Sequence, residues 1–216
     1  MFFGVEMKSL AQGQPVGDMA GNVLKTKKYT EINGSPYLID SWTTGTVKFN
    51  NGKVINNVLL KYDQVADELS FAGKNDEEYF FNERVSEFTL TYIEDNIDHK
   101  KYFKSGFPTI NNLSDKSFYE VLIDGAVSLL KKNAKDITQV KEFNSATTVK
   151  TVNNNIRYYI VKSNEIIHLK KLDSKNVANS LDAGKANLIM DFTKRNDLNP
   201  KKDADLKKII LYYSSL

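Results

Sequence analysis

Cysteine is absent from the 216-residue chain. Its absence excludes disulfide staples, thiolate zinc sites, a cysteine nucleophile and a lipid-modified N-terminal cysteine. Histidine occurs only at His99 and His168. No apolar run approaches the roughly 18–20 residues that a membrane-crossing helix needs. The sequence has no G-x-S-x-G, no G-x-x-x-x-G-K-[ST] and no G-x-G-x-x-G, so nucleophile-elbow, Walker-type and dinucleotide fingerprints are missing. Gly13 to Gly17 lacks the strand–helix context that would give it phosphate-loop meaning. A concentrated charge of one sign is missing too. Thirty basic residues face 27 acidic ones for a net charge of +3, with lysines spread from Lys25 to Lys208. That is the pattern of a solvated surface, and nucleic acid is not an expected partner.

What is present is ordinary for a globular protein. Hydrophobic residues make up 41% and charged residues 26%, enough to bury a core as one large domain or two small ones. The richest stretch runs from Pro36 to Leu90 and reads as short strands separated by turns. Val47 and Phe49 alternate with Thr46 and Lys48, as a half-buried strand does. Asn51-Gly52 then gives a two-residue hairpin signal, because both residues tolerate φ > 0. Val54 to Tyr62 forms the partner, and its Val58-Leu59-Leu60 centre predicts burial on both faces. Leu69–Phe71 and Tyr79–Phe81 predict a second hairpin around residues 73–76. Val85 to Ile93 places Phe88, Leu90 and Tyr92 on one face.

Glu94 to Lys116 is polar, contains Gly106 and Pro108, and reads as a long connection with one short strand near Tyr102-Phe103. The following segment is ambiguous. Ser117-x-x-Glu120 imitates a capping box, yet Asp124-Gly125 divides two β-compatible runs. Because glycine inside a helix costs about 1 kcal/mol relative to alanine, a hairpin is predicted there. Another is predicted from Arg157 to Lys170 around Ser163-Asn164, and Asn153 to Asn155 reads as turn material. After Leu172 the period becomes helical. Asp173 or Ser174 caps a short helix carrying Val177 and Leu181, ending at Gly184. Ala186 to Lys194 forms a second helix, with basic residues at its negative end. Asn199-Pro200 predicts the start of a third, with Leu206, Ile209, Ile210 and Tyr213 as its stripe.

The expected fold is therefore α+β: an antiparallel β-sandwich or barrel-like part over residues 36–172, then a small helical segment over 173–216. Residues 1–35 form a lead-in, with Gln12 to Glu31 polar and without a period. Met1 to Val5 is apolar, and Ser9-Leu10-Ala11 resembles a signal-peptidase site. The segment is short, carries Glu6 and Lys8, and lacks a basic start. It reads either as the tail of a leader or as a frayed terminus.

Candidate chemistry is sparse, and no catalytic, cofactor-binding or metal-binding residue is assigned. His99 lies beside Glu94, Asp95 and Asp98, but the spacing matches no zincin or EF-hand pattern. His168 is expected on the solvated face of a strand. Glu83, Glu87 and Glu120 are candidates for a carboxylate pair of the glycosidase type, and each is equally explained as an outward strand residue. Tyr29, Tyr37, Trp42, Tyr158 and Tyr159 can line a groove for a sugar, peptide or lipid. The commoner use of such residues is as cross-strand core pairs. Tyr158 and Tyr159 must point to opposite faces.

The order Gly34-Ser35-Pro36-Tyr37-Leu38, Trp42, Gly45-Thr46-Val47, Asn51-Gly52-Lys53, Leu59, Tyr62-Asp63 and Leu69 resembles an uncharacterised β-rich family of exported Bacteroidetes proteins. Tyr119 to Leu122, Asp124-Gly125 and Ile210-x-Tyr212-Tyr213 extend that resemblance to Leu216. It implies export, which favours the leader reading of Met1 to Ala11, and periplasmic or secreted location. It implies no activity. The expected function is a non-enzymatic envelope or secreted module that binds a protein, glycan or lipid partner. A carboxylate-based hydrolase is the alternative, and a structural role with the C-terminal helices docking a neighbour is a third.

Overall fold

The computed structural model describes residues 21–23, 29–73, 77–141 and 148–216. The leader reading of Met1 to Ala11 and the turn residues 74–76 lie outside them. Among the described residues twelve strands form one sheet: β1 (Gly21–Val23), β2 (Ile32–Asn33), β3 (Thr43–Phe49), β4 (Val54–Asp63), β5 (Glu68–Ala72), β6 (Glu78–Phe81), β7 (Val85–Glu94), β8 (Ile97–Lys104), β9 (Tyr119–Ile123), β10 (Val127–Lys141), β11 (Thr148–Lys162) and β12 (Glu165–His168). Their spatial order is β1-β6-β5-β4-β3-β7-β8-β9-β10-β11-β12, antiparallel throughout. Short β2 adds to β11 in parallel at Lys150 and Thr151. Three helices follow, α1 (Ser174–Leu181), α2 (Ala186–Arg195) and α3 (Asp203–Ser214). The protein is α+β, a large mixed sheet that does not close into a barrel, with a small C-terminal helical segment.

Turn chemistry sets much of the local path. Ser163 and Asn164 both adopt positive φ, +48° and +62°, the two left-handed residues of a type I′ hairpin. The Asp124-Gly125 hairpin forms as β9 and β10. At Asn51-Gly52 the hairpin forms with a different turn. Only Gly52 is left-handed, at φ +87°, and Phe49 N–H donates to Lys53 O at 2.9 Å across the longer loop.

Three expectations are corrected. Glu94 to Lys104 is not part of a long connection. Asp95 and Asn96 take φ of +51° and +60° and join β7 directly to β8 in a tight hairpin. Asn153 to Asn155 is not a turn, for it lies inside β11, paired opposite Asp136 to Ala134 of β10. The two strands form a ladder of fifteen residue pairs whose outer half is mostly polar and little buried. The third helix starts at Asp203, not at Asn199-Pro200. Asn199 instead accepts the Lys201 N–H at 3.0 Å. In the lead-in, Gly21–Val23 pairs with Tyr79–Phe81 as a strand.

Side chains sort into three clusters. The first lies on β3, β4, β5, β7 and β8, where Val47, Leu60, Phe88 and Phe103 are buried beside Tyr62 and Phe118. Phe88 stacks on Phe103 with ring centroids 4.6 Å apart. The second holds the helices to the sheet through Leu129, Ile160, Val177, Leu181, Ile189 and Leu206. α1 begins where Asp173 accepts the Asn176 N–H at 2.9 Å, as a good N-cap does. The third places Tyr119, Leu130 and Tyr159 beneath Phe107, Ile110 and Leu113 of the 105–118 connection. Both sides of β10–β11 are thus covered, so adjacent Tyr158 and Tyr159 are both buried while facing opposite ways.

The sheet also bends back on itself. Lys135 N–H donates to Gln64 O at 3.0 Å, and its ammonium reaches the carbonyls of Ser35 and Tyr37. The middle of β10 therefore meets the β4–β5 turn, several strands away in the sheet order.

Candidate functional site

The β4–β5 turn is built by Asp63, whose Oδ1 accepts the N–H groups of Val65 and Ala66 at 2.9 Å. That local wrap brings the chain to Asp67 in a left-handed conformation, φ +59°, which aspartate tolerates better than most residues. Asp67 Oδ1 accepts the Tyr62 hydroxyl at 2.6 Å and the Phe118 N–H at 3.4 Å. Its Oδ2 is 2.6 Å from Lys132 Nζ on β10. The Lys132 side chain is 3% exposed and that of Asp67 23%. Lys132 also donates to Phe118 O at 2.8 Å and lies 5.8 Å from the Tyr119 ring centre. Burial pushes the Lys132 ammonium pKa down against the opposing pull of Asp67, and Arg157 adds to the lowering. Tyr62 is pushed well up, by burial first and by Asp67 next.

Asp67 is also part of the wall of a cleft of about 400 Å³. Leu69, Phe80, Phe81, Val85 and Phe118 give the cleft its apolar surface. Glu68, Asn82, Glu83, Arg84 and Lys116 join Asp67 as its polar groups. Several of these are fixed by the fold. Glu83 accepts Asn51 Nδ2 at 2.5 Å. Arg84 Nη2 holds Asp115 through both its carbonyl, at 2.6 Å, and its carboxylate, at 2.9 Å. Phe81 is locked against Phe71 and Phe49, with centroids 4.7 and 5.6 Å away.

The residues singled out from the sequence do not converge. Glu83 lines the cleft, whereas Glu87 pairs with Lys48 at 2.9 Å and accepts Tyr102 OH at 2.8 Å. Burial pushes the Glu87 pKa up, but its bonds from Lys48 and Tyr102 outweigh that and leave it lowered. Glu120 is held by Lys101 at 2.9 Å. His99 sits on β8 and stacks on Tyr92, centroids 5.3 Å apart. Among the described residues no three His, Asp or Glu side chains gather as metal ligands. His168 is half-buried rather than solvated, stacked 4.9 Å from Tyr159. Burial, Arg157 and Lys170 lower its pKa.

The five aromatics split likewise. Tyr29 and Tyr37 meet edge-on, and Lys61 Nζ lies 4.8 Å from the Tyr37 ring and 4.7 Å from Trp42. Tyr158 turns to the helices and donates to Asp203 at 2.5 Å. Tyr159 joins the opposite cluster. The grouping around Asp67 had no sequence signal, because its members come from β4, the β4–β5 turn, β10 and the 105–118 connection. Comparison with protein-family models, curated proteins and solved structures gives no match.

Proposed function

We propose that the chain is a non-enzymatic binding module of the cell envelope or the secreted fraction, and that the cleft beside Asp67 is where it engages its partner. The observation that carries this reading is the state of the polar groups in the wall. Asp67, Glu83 and Arg84 are each held by another residue of the chain, so the cleft presents a fixed pattern of acceptors and donors around an apolar floor. Pre-set geometry of this kind lowers the cost of ordering side chains on binding. The envelope location rests on the sequence resemblance, which typically follows an export signal.

A hydrolase remains the second reading, because Asp67, Glu68 and Glu83 do line one cleft. Acid–base hydrolysis by two carboxyl groups needs one of them held protonated, with its pKa raised. Incubation with glycan and peptide substrates discriminates the two. No cleavage is expected; turnover that disappears in E83Q overturns the binding reading. For location, cell fractionation with N-terminal sequencing is decisive. Intact protein found in the cytosol and still carrying Met1 overturns the export reading.

A further inference from the structure

We propose a second site, separate from the cleft, where Arg157 and the hydroxyls of Tyr119 and Tyr159 hold the carboxylate of a small organic acid. What points to a ligand is a pair of orphaned donors. Tyr119 and Tyr159 are fully buried, and neither hydroxyl has a hydrogen-bond partner. An unbonded buried hydroxyl is costly, and phenylalanine at either place would fill the same space without that cost. The two rings meet edge to face with centroids 5.5 Å apart. Phe107, Ile110 and Leu113 of the 105–118 connection pack over them. The hydroxyls therefore lie in an apolar surround, where a hydrogen bond to a charged acceptor is strong.

Strand register brings a cation to the same place. Arg157 precedes Tyr159 by two positions on β11, so both side chains leave one face of the sheet. Across the ladder Arg157 pairs with Lys132 and Tyr159 with Leu130. Val121 of β9 pairs with Leu130, which sets Tyr119 beside Lys132 on that face. On the other flank His168 pairs with Tyr159 and stacks on its ring. The two cations differ in what they hold. Lys132 is neutralised by Asp67 at 2.6 Å. Arg157 Nε donates to the neutral Asn155 side chain at 3.3 Å, and among the described residues the guanidinium forms no ion pair. Its charge is felt around it. Burial raises the Tyr119 pKa and lowers those of Lys132 and His168, while Arg157 opposes the first shift and adds to the other two.

A carboxylate suits this set of donors. It is planar and takes two parallel bonds from the free end of a guanidinium, and its remaining lone pairs accept from the phenols. The partly buried Phe107, Ile110, Val161 and Ile166 give an apolar body somewhere to lie. A phosphate carries close to two charges on three oxygens and asks for more fixed cations than one arginine. Lys170 is exposed at the rim, where it steers an anion inward rather than holding it. Arg157 is thus assigned as the anchor, with Tyr119 and Tyr159 as the buried donors.

The test is titration of the isotope-labelled full chain with acetate, butyrate and phenylacetate, read from the Arg157 side-chain Nε–H signal and the amides of Tyr119, Tyr159 and His168. Phosphate and chloride at matched ionic strength serve as the other probes. A saturable shift of these signals is expected with butyrate or phenylacetate, weaker with acetate and absent with chloride. Arg157→Gln, at a partly exposed position, is expected to weaken it about tenfold, the scale of one charge-assisted hydrogen bond. Tyr159→Phe keeps the ring and its packing and is expected to weaken it severalfold. Without ligand, the urea midpoint of that variant is expected to be unchanged or raised, because an unbonded buried group has been removed. A lowered midpoint would show that the hydroxyl already has a partner in the folded chain and would overturn its role. Should Tyr159→Phe unfold, Arg157→Gln alone decides the anchor. A preference for phosphate overturns the carboxylate assignment. If chloride reproduces the shift, or if none of the anions produces one, no such site exists. Carboxylate binding unchanged in both variants overturns the roles given to Arg157 and Tyr159.

Discussion

Replacing Asp67 by Asn isolates the charge that holds β10 to the β4–β5 turn. The substitution keeps the left-handed turn and an acceptor for Tyr62, but leaves the Lys132 ammonium beside a neutral amide. At 2.6 Å the attraction between the two charges is about 6 kcal/mol for an effective dielectric constant of ~20. Removing Lys132 from water costs several kcal/mol, so the intact pair is worth little in net terms. Breaking it is another matter, because a cation that is only 3% exposed then lacks its counter-ion. We expect Asp67→Asn to cost about 3 kcal/mol, the lower end of the usual range because Asp67 itself is partly solvated. Lys132→Met leaves Asp67 with the Tyr62 and Phe118 bonds and some water, and is expected to cost ~2 kcal/mol. The double variant is expected to be no less stable than Lys132→Met alone, a coupling of about 3 kcal/mol. Urea unfolding followed by the fluorescence of Trp42, the single tryptophan, measures all four corners of the cycle. Costs that add to within ~0.5 kcal/mol would refute the coupling, and an altered denaturant slope would point to a changed denatured or native state.

Tyr37, Tyr92 and Tyr158 have pKa values pushed up to about 12, by burial first in each case. Their stabilising contribution is complete below the unfolded value of 10.0 and is lost as pH climbs from there through about 12. Stability is therefore expected to fall above pH 10, and phenolate absorbance should rise together with unfolding; free ionisation of these phenols in the folded protein at pH 10 would contradict their burial. Asp203 shows the opposite sign. Burial raises its pKa, but bonds from Lys131 and Tyr158 hold it lowered. Its contribution is present above 3.8 and lost as pH falls through the lower folded value. Asp203→Asn is expected to cost ~1 kcal/mol at neutral pH and to flatten the acid limb of the stability curve; an unchanged acid limb would refute that role. Gly45→Ala should cost about 3 kcal/mol through overpacking, since a Cβ there overlaps the Thr89 carbonyl and stands 2.6 Å from Leu60 Cδ1. A thermal midpoint equal to that of the parent chain would show that β3 and β7 can separate at this point.

Where the sequence and the structure part company, the cause is identifiable. Asp95-Asn96 carried a usable turn signal, since both residue types accept φ > 0. It was obscured because Ile97 to Lys100 is too polar and charged to show a half-buried alternation. The outer half of β10–β11 is hidden for a related reason. Asp136, Thr138, Asn153 and Asn154 bury little and are held as strands by the cross-strand ladder and by bonds such as Asn153 Nδ2 to Thr138 Oγ1 at 2.9 Å. The start of α3 moved to Asp203 because Asp203 is bound to Lys131 and Tyr158 of the sheet.

The sequence by itself determined the local objects: strands with period two, hairpins at Asp124-Gly125 and Ser163-Asn164, the Asp173 cap and the change to helices after Leu172. These depend on φ preferences and on side-chain period, which neighbouring residues report. It also placed Phe88, Leu90 and Tyr92 on one buried face. Tertiary structure alone decided the strand order, the bend that carries β10 to the β4–β5 turn, and the covering of both faces around Tyr158 and Tyr159. It alone assembled Asp67, Tyr62, Phe118 and Lys132 beside one cleft. Contacts between segments far apart in the chain leave no periodic mark in either, and a lysine destined for burial reads like any surface lysine until its aspartate arrives from another strand.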